Sequence, residues 1–215
     1  MIVYGSTLSP FVRKVMVFGA EKGLALELRP SALGRGGPAF EAASPFRKMP
    51  AFIDPAEDFA ISDSSAIVTY LEAKHPKPNL IPTEAKARAR TIWFEEFADT
   101  IVMAAGGKIF FNRFVAPRFL KRPGDAALAD KAEAEELPPV LDYLETIAPA
   151  SGFLIEDRLT LADIAVASPF VNFRDHLGMD LSRWPRAGAY LHAILARPSF
   201  ARLIERERKM IAALG

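Results

Sequence analysis

Few folds accommodate the way this chain begins. Ile2 and Val3 form a short apolar run, Gly5, Ser6 and Thr7 are turn residues that end a strand, and Pro10 has the preset φ and missing N–H that suit a first helical position. Ser9 then stands at the N-cap. Apolar residues at Phe11, Val12, Val15, Met16 and Phe18 through Ala20 recur at helical spacing, with Arg13, Lys14, Glu21 and Lys22 assigned to water and Gly23 as the C′ residue. A helix start at the open end of a sheet favours anions, because free N–H groups and the dipole both point there. Ser9 therefore has two readings: a plain cap, or a hydroxyl beside a bound anion such as a thiolate.

Leu24 to Arg29 alternates well enough for a second strand stopped by Pro30, which makes a βαβ unit with parallel strands. Residues 31 to 37 include Gly34, Gly36 and Gly37 and read as a surface loop without phosphate-binding spacing, followed by a short helix from Pro38 to Ala43. Lys48 to Ile53, with Pro50 at its opening, and Phe59 to Ile61 predict an antiparallel hairpin across the Asp54–Asp58 turn. Ser62 to Ser65 are cap-type residues ahead of Ala66, Ile67, Tyr70 and Leu71, a helix ending near His75 and Pro76. The predicted order is βαβαββα, with a stiff proline-rich connector at 77–85 separating a domain at 1–76 from one at 86–215.

Beyond Thr83 the pattern is helical throughout. Trp93, Phe97, Ile101 and Ala104 form the predicted apolar stripe of a helix over Thr91–Ala105. Further helices are expected near Ala126–Ile147, bent at Pro138-Pro139, then over Thr160–Phe173, Arg183–Ala196 and Ser199–Leu214. Thr160 to Asp163 is a box-like cap with Leu159 and Ile164 as a hydrophobic staple, and Glu205 to Lys209 reads as a solvated face. The fold class is α/β plus all-α.

Charge and composition narrow the function. The 27 basic residues against 26 acidic leave a net charge of +1, so no general attraction to nucleic acid or an anionic membrane is expected. With no cysteine, disulfides and cysteine nucleophiles are excluded, thiol–disulfide exchange through an enzyme cysteine among them. No apolar run is long enough to cross a bilayer and no signal segment precedes the first strand, so a cytoplasmic location is the expectation. His75, His176 and His192 are scattered without metal-ligand spacing, and no metal is expected.

Ser9-Pro10-Phe11 followed by Arg13, Met49-Pro50 before the third strand, Asp63-Ser64 followed by Ala66-Ile67 and Tyr70-Leu71, and the Thr160–Asp163 box occur in one order over the whole chain. In this the sequence resembles the cytosolic glutathione transferases, in a serine-type form. The resemblance implies a thioredoxin-like N-terminal domain that binds glutathione as co-substrate and an all-helical C-terminal domain. It implies that Ser9 hydrogen-bonds the glutathione sulfur, with Ser6 and Thr7 as second choices. Met49, before a cis Pro50, would pair its backbone with the cysteinyl unit. Asp63 would take the γ-glutamyl amino group, although the family more usually has Glu or Gln there, Ser64 its carboxylate, and Lys48 the glycyl carboxylate. An apolar small-molecule electrophile would sit between the domains against Leu8 and the helix bearing Phe110, Phe111 and Phe114, whose alternative reading is core. A homodimer through the helices beginning at Ser64 and Thr83 is the further implication.

The magnitudes allow this chemistry. A thiol of pKa about 8.5 is a few per cent ionised at neutral pH, and lowering that value by about two units requires ~2.7 kcal/mol. One hydrogen bond to a charged group contributes ~1.5–3 kcal/mol and a helix N-terminus ~0.3–1. The competing readings are a non-catalytic docking module on the same fold and a glutathione-dependent peroxidase or isomerase. A pure scaffold has no need of Ser9, Met49-Pro50 and Asp63-Ser64 together.

Overall fold

The computed structural model describes residues 1–31, 35–149 and 152–213. Gly34 of the predicted loop and Leu214 at the predicted end of the last helix lie outside them. The chain divides into two compact units, Met1–Pro82 and the remainder from Thr83.

The first unit has the expected βαβαββα order: β1 (Ile2–Gly5), α1 (Pro10–Glu21), β2 (Glu27–Pro30), α2 (Pro38–Ala43), β3 (Ala51–Asp54), β4 (Phe59–Ser62) and α3 (Ser64–Lys74). The sheet runs β2-β1-β3-β4, with β1 parallel to β2 and antiparallel to β3, and β3 antiparallel to β4. Alternation along β1 sends Ile2 and Tyr4 to a cluster with Phe40, Ala43, Ala51 and Ile53 around α2. Gly5 meets α1 on the other face, so closely that a Cβ there would come 2.4 Å from Val12 Cγ2. β2 is shorter than the alternation predicts. Leu26 packs instead against Gly19, where an added Cβ would lie 2.2 Å from its Cδ1, and pairing starts only at Glu27.

The largest departure in this unit is the charge on α1. Arg13, Lys14 and Lys22, assigned to water by the helical pattern, are buried. α1 packs against α3, and polar side chains meet across the contact. Lys14 Nζ donates to Ser65 Oγ at 3.4 Å, and Lys22 Nζ lies 2.8 Å from Glu72 Oε2 and 2.7 Å from the Pro78 carbonyl. Glu72 also accepts from Asn79 Nδ2 (2.7 Å) and the Leu80 N–H (3.3 Å), tying the proline-rich segment to both helices.

At the hairpin end of β3, the buried Asp54 carboxylate accepts from Lys74 Nζ (2.5 Å), the Tyr70 hydroxyl (2.9 Å) and the Ala56 N–H (3.2 Å). The Lys74 bond, foremost among these, holds the Asp54 carboxyl below its usual value. A folded pKa below the unfolded value of about 3.9 means stability present above that pH and lost as pH falls through the folded value. Asp54→Asn is therefore expected to lower Tm by a few degrees at pH 7, with the gap to the parent protein closing in acid, as followed by thermal melts across pH 2–7. A gap that widens in acid contradicts this assignment.

In the second unit α4 (Ala85–Glu96) continues through a wide π turn at Phe97–Val102 into α5 (Met103–Phe110), a second such turn at Phe111–Val115 and α6 (Ala116–Phe119). Of the predicted stripe only Phe97 is buried. Trp93 and Ile101 are 48% and 49% exposed, whereas Phe94, Ala98 and Val102, one place along, are buried on the side that packs against α9. Both series have helical spacing, and Trp93 instead stacks flat on Phe97 with Tyr143 at its edge. The segment Ala126–Ile147 is irregular ahead of its prolines: α7 (Ala126–Lys131), a π turn at Ala132–Glu136, then α8 (Leu137–Ile147). Pro138 and Pro139 lack the N–H groups that would bond the carbonyls of Ala134 and Glu135, so the ladder opens there.

α9 (Leu161–Phe170), a π turn at Val171–His176, α10 (Pro185–Leu195) and α11 (Pro198–Ala212) complete the unit. Asp163 behaves as a folding residue: Oδ2 accepts the Thr160 N–H (2.9 Å), and Oδ1 accepts the Leu154 N–H (2.8 Å) and the Tyr190 hydroxyl (3.1 Å). Burial pushes both the Asp163 carboxyl and the Tyr190 phenol up. The face from Glu205 to Lys209 is only partly solvated, since Glu207 is buried 2.8 Å from His176 Nε2, while Glu205 and Lys209 pair at the surface.

Candidate functional site

Strand register gathers three distant segments at one end of the sheet. Tyr4 lies opposite Ala51, so continuing that antiparallel register brings Met49 opposite Ser6. Ala51 lies opposite Ser62, which sets Pro50 beside Asp63, and the Asp63 N–H donates to the Pro50 carbonyl at 3.3 Å. The bend at 6–9, the segment 48–50 and the start of α3 thus meet where the N-termini of α1 and α3 begin.

Ser9 is the N-cap of α1, extended at φ −77° and ψ 123°, with Pro10 following. Its backbone is tied in by the Ser9 N–H to Ser6 carbonyl bond (2.9 Å) and the Arg13 N–H to Ser9 carbonyl bond (3.0 Å). The hydroxyl makes no capping bond, so the plain-cap reading does not describe it. Ser9 is half-buried, whereas Thr7 is buried and Ser6 Oγ accepts the Leu8 N–H at 3.4 Å. The first turn of α1 holds no acidic residue, so nothing on the chain there offsets the positive dipole end.

The Met49–Pro50 peptide is cis. Pairing of β3 starts at Ala51, and Met49 makes no backbone–backbone hydrogen bond among the described residues. Its N–H and C=O thus extend a central strand without using a strand partner. Lys48 is exposed.

Asp63 occupies the left-handed region at φ 84°, where a side chain with a Cβ is held at a cost of ~1–3 kcal/mol. That conformation aims Oδ1 at the Ser65 and Ala66 N–H groups (2.8 and 3.2 Å). Asp63 therefore caps α3, as one of its two readings required, through a single oxygen. Ser64 is buried beside it, and Lys14 brings a buried ammonium to the same helix start through Ser65 Oγ.

The aromatic candidates belong to the second unit. Phe110 and Phe114 are buried, stacked on each other at 4.8 Å and placed beside the buried His176 ring, whereas Phe111 is 39% exposed. Leu8 is buried within the bend that precedes Ser9. Among the described residues no group of three His, Cys, Asp or Glu side chains is arranged to hold a metal ion, and no helix is long and apolar enough to cross a membrane.

Two residues at this end of the sheet escaped the sequence reading. Lys14 was assigned to water by helical periodicity, which cannot register a second packed face. Ser44, not singled out by the sequence pattern, bonds the backbone of Lys48 through its hydroxyl.

Family models described as the glutathione S-transferase N-terminal domain and the glutathione S-transferase C-terminal domain match residues 3–79 and 111–207. Glutathione S-transferase 3 of Zea mays is 32% identical over 209 residues, covering 94% of this chain and 92% of its own length. Among solved structures, a glutathione S-transferase from Rhodospirillum rubrum F11 superposes with a TM-score of 0.85 at 25% identity, covering 94% of this chain and 90% of that one. A glutathione S-transferase from Methylobacterium radiotolerans in complex with glutathione sulfonate superposes with a TM-score of 0.77 at 26% identity, covering 94% and 93%. Domain order, strand topology and both family matches agree: the chain belongs to the glutathione S-transferase family.

Proposed function

We propose that this protein is a glutathione transferase of the serine type, in which Ser9 Oγ donates a hydrogen bond to the glutathione thiolate. The thiolate attacks an electrophilic carbon of an apolar substrate, the C–S bond forms as the leaving group departs with its electron pair, and the thiol proton passes to solvent. The observation that carries this reading is the Ser9 hydroxyl, half-buried at a helix N-terminus and without a capping bond. Ser6, already accepting from Leu8, and Thr7, buried, are poorer candidates.

The ligand's other groups find chemistry that matches. The cysteinyl backbone pairs with Met49 as an added strand, which the absence of any backbone–backbone hydrogen bond at Met49 among the described residues favours. The γ-glutamyl carboxylate meets Ser64 and the N-terminus of α3, with the Lys14 charge behind it, and the amino group meets the Asp63 carboxylate. Lys48, exposed, reaches the glycyl carboxylate. The relative solved with glutathione sulfonate supports a ligand of this size and charge on the fold.

Binding is tested directly by thermal shift. A ligand at a hundred times its dissociation constant stabilises by ~2.7 kcal/mol, which for a chain of this length raises Tm by about 5–10 °C. Glutathione is expected to produce that shift. No shift at millimolar glutathione overturns the reading in favour of a docking module.

A further inference from the structure

Ser44 ends α2, its N–H bonded to the Phe40 carbonyl at 2.8 Å, and its side chain is almost fully buried at 1% exposure. Its hydroxyl does two things at once. It donates to the Lys48 carbonyl at 2.7 Å and accepts the Lys48 N–H at 3.0 Å, closing residues 45–47 into an outward loop. Little else holds that loop: the Arg47 N–H bonds the Ser44 carbonyl (2.8 Å), Arg47 itself sits at φ 55°, and its ion pair with Glu41 is exposed. Phe46, at the loop tip, is 87% exposed.

The Lys48–Met49 peptide is trans, since the cis bonds of the described chain are Met49–Pro50 and Lys77–Pro78. In a planar trans peptide the C=O and the following N–H point in opposite directions. Anchoring the Lys48 carbonyl on Ser44 therefore turns the N–H of Met49, which makes no backbone–backbone hydrogen bond among the described residues, away from α2. The same anchor sets the direction in which the Lys48 side chain leaves the loop.

We infer that Ser44 is a positioning residue for the glutathione site: its hydroxyl orients the Met49 backbone donor and the Lys48 ammonium without touching the ligand. This rests on the glutathione reading above. Loss of the hydroxyl frees the Lys48–Met49 peptide to rotate, so glutathione must order it on binding.

The experiment compares the full-length parent protein with Ser44→Ala and Ser44→Thr by steady-state kinetics with glutathione and 1-chloro-2,4-dinitrobenzene, together with ligand-free Tm. Ser44→Ala is expected to raise KM for glutathione at least five-fold, with kcat and KM for the electrophile within two-fold of the parent. Ser44→Thr, which keeps a hydroxyl, is expected to recover most of that loss. An unchanged glutathione KM in Ser44→Ala, a uniform fall in every parameter tracking a lower Tm, or failure of Ser44→Thr to recover each overturns the role. Absence of glutathione binding by the parent overturns the reading beneath it instead, and the positioning role falls with it.

Discussion

Ser9→Ala is expected to lower kcat/KM for conjugation of glutathione to a chloronitroarene by ten-fold or more, with Tm within a few degrees of the parent protein. The two halves of this outcome have separate causes. A hydrogen bond to a charged acceptor contributes ~1.5–3 kcal/mol, and its loss corresponds to roughly 10- to 150-fold in rate where it stabilises the attacking thiolate. Stability changes little, because Ser9 holds α1 through its backbone, the N–H to Ser6 and the carbonyl from Arg13, and not through a side-chain cap. An ordinary N-cap serine would show the reverse, a stability loss of ~0.5–2 kcal/mol. The pH profile gives a second readout: without the hydroxyl the bound thiol ionises less readily, so at saturating glutathione the rise of kcat/KM for the electrophile with pH moves upward by about one to two units. Ser9→Thr restores part of both. Equal rates for parent and Ser9→Ala, with an unshifted profile, would remove Ser9 from the mechanism and direct attention to Ser6 and Thr7.

Glu72→Ala is expected to be the most destabilising of these substitutions. Glu72 is buried with Lys22, whose side chain is fully buried, and its carboxylate also accepts from Asn79 and the Leu80 N–H. Removing one partner of such a pair leaves an uncompensated charge and orphaned donors in the interior, at a cost of ~3–5 kcal/mol. For a chain of this length that is a fall in Tm of about 10 °C or more, measured by calorimetry. The pair itself is not the source of the stability. Lys22→Met combined with Glu72→Gln removes the charges while keeping an acceptor for Leu80 and Asn79, and is expected to be more stable than Glu72→Ala alone. If the single variant melts within 2 °C of the parent, the Lys22–Glu72 contact is not the clamp that ties the proline-rich segment to α1 and α3.

Local chemistry made much of the first unit legible in advance. Pro10 and Gly23 bracket α1 because each has a backbone preference that holds whatever surrounds it, and Pro38, Pro50 and the Asp63–Ser65 run mark starts for the same reason. The parallel β1–β2 pairing follows from the length and handedness of a βαβ crossover. Such signals lie within a few residues and are complete in the linear chain.

The readings that failed are ones that depend on which surface a helix face meets, although the apolar stripes of α1 and α3 at Val12, Val15, Phe18, Ile67 and Leu71 are buried as expected. Trp93, Phe97 and Ile101 have the same four-residue spacing as Phe94, Ala98 and Val102, and packing against α9 buries the whole of the second series but only Phe97 of the first. Lys14 and Lys22 look like a solvated face until α3 supplies Ser65 and Glu72 as partners fifty or more positions away. The segments bearing Ser6, Met49 and Asp63 come together only through strand register, which converts distance along the chain into adjacency across the sheet. The sequence by itself thus determined where elements begin and end, through backbone preferences that act locally. Which faces are buried and which side chains meet was decided by the tertiary structure, because burial and pairing are properties of two surfaces and each stretch of sequence describes only one.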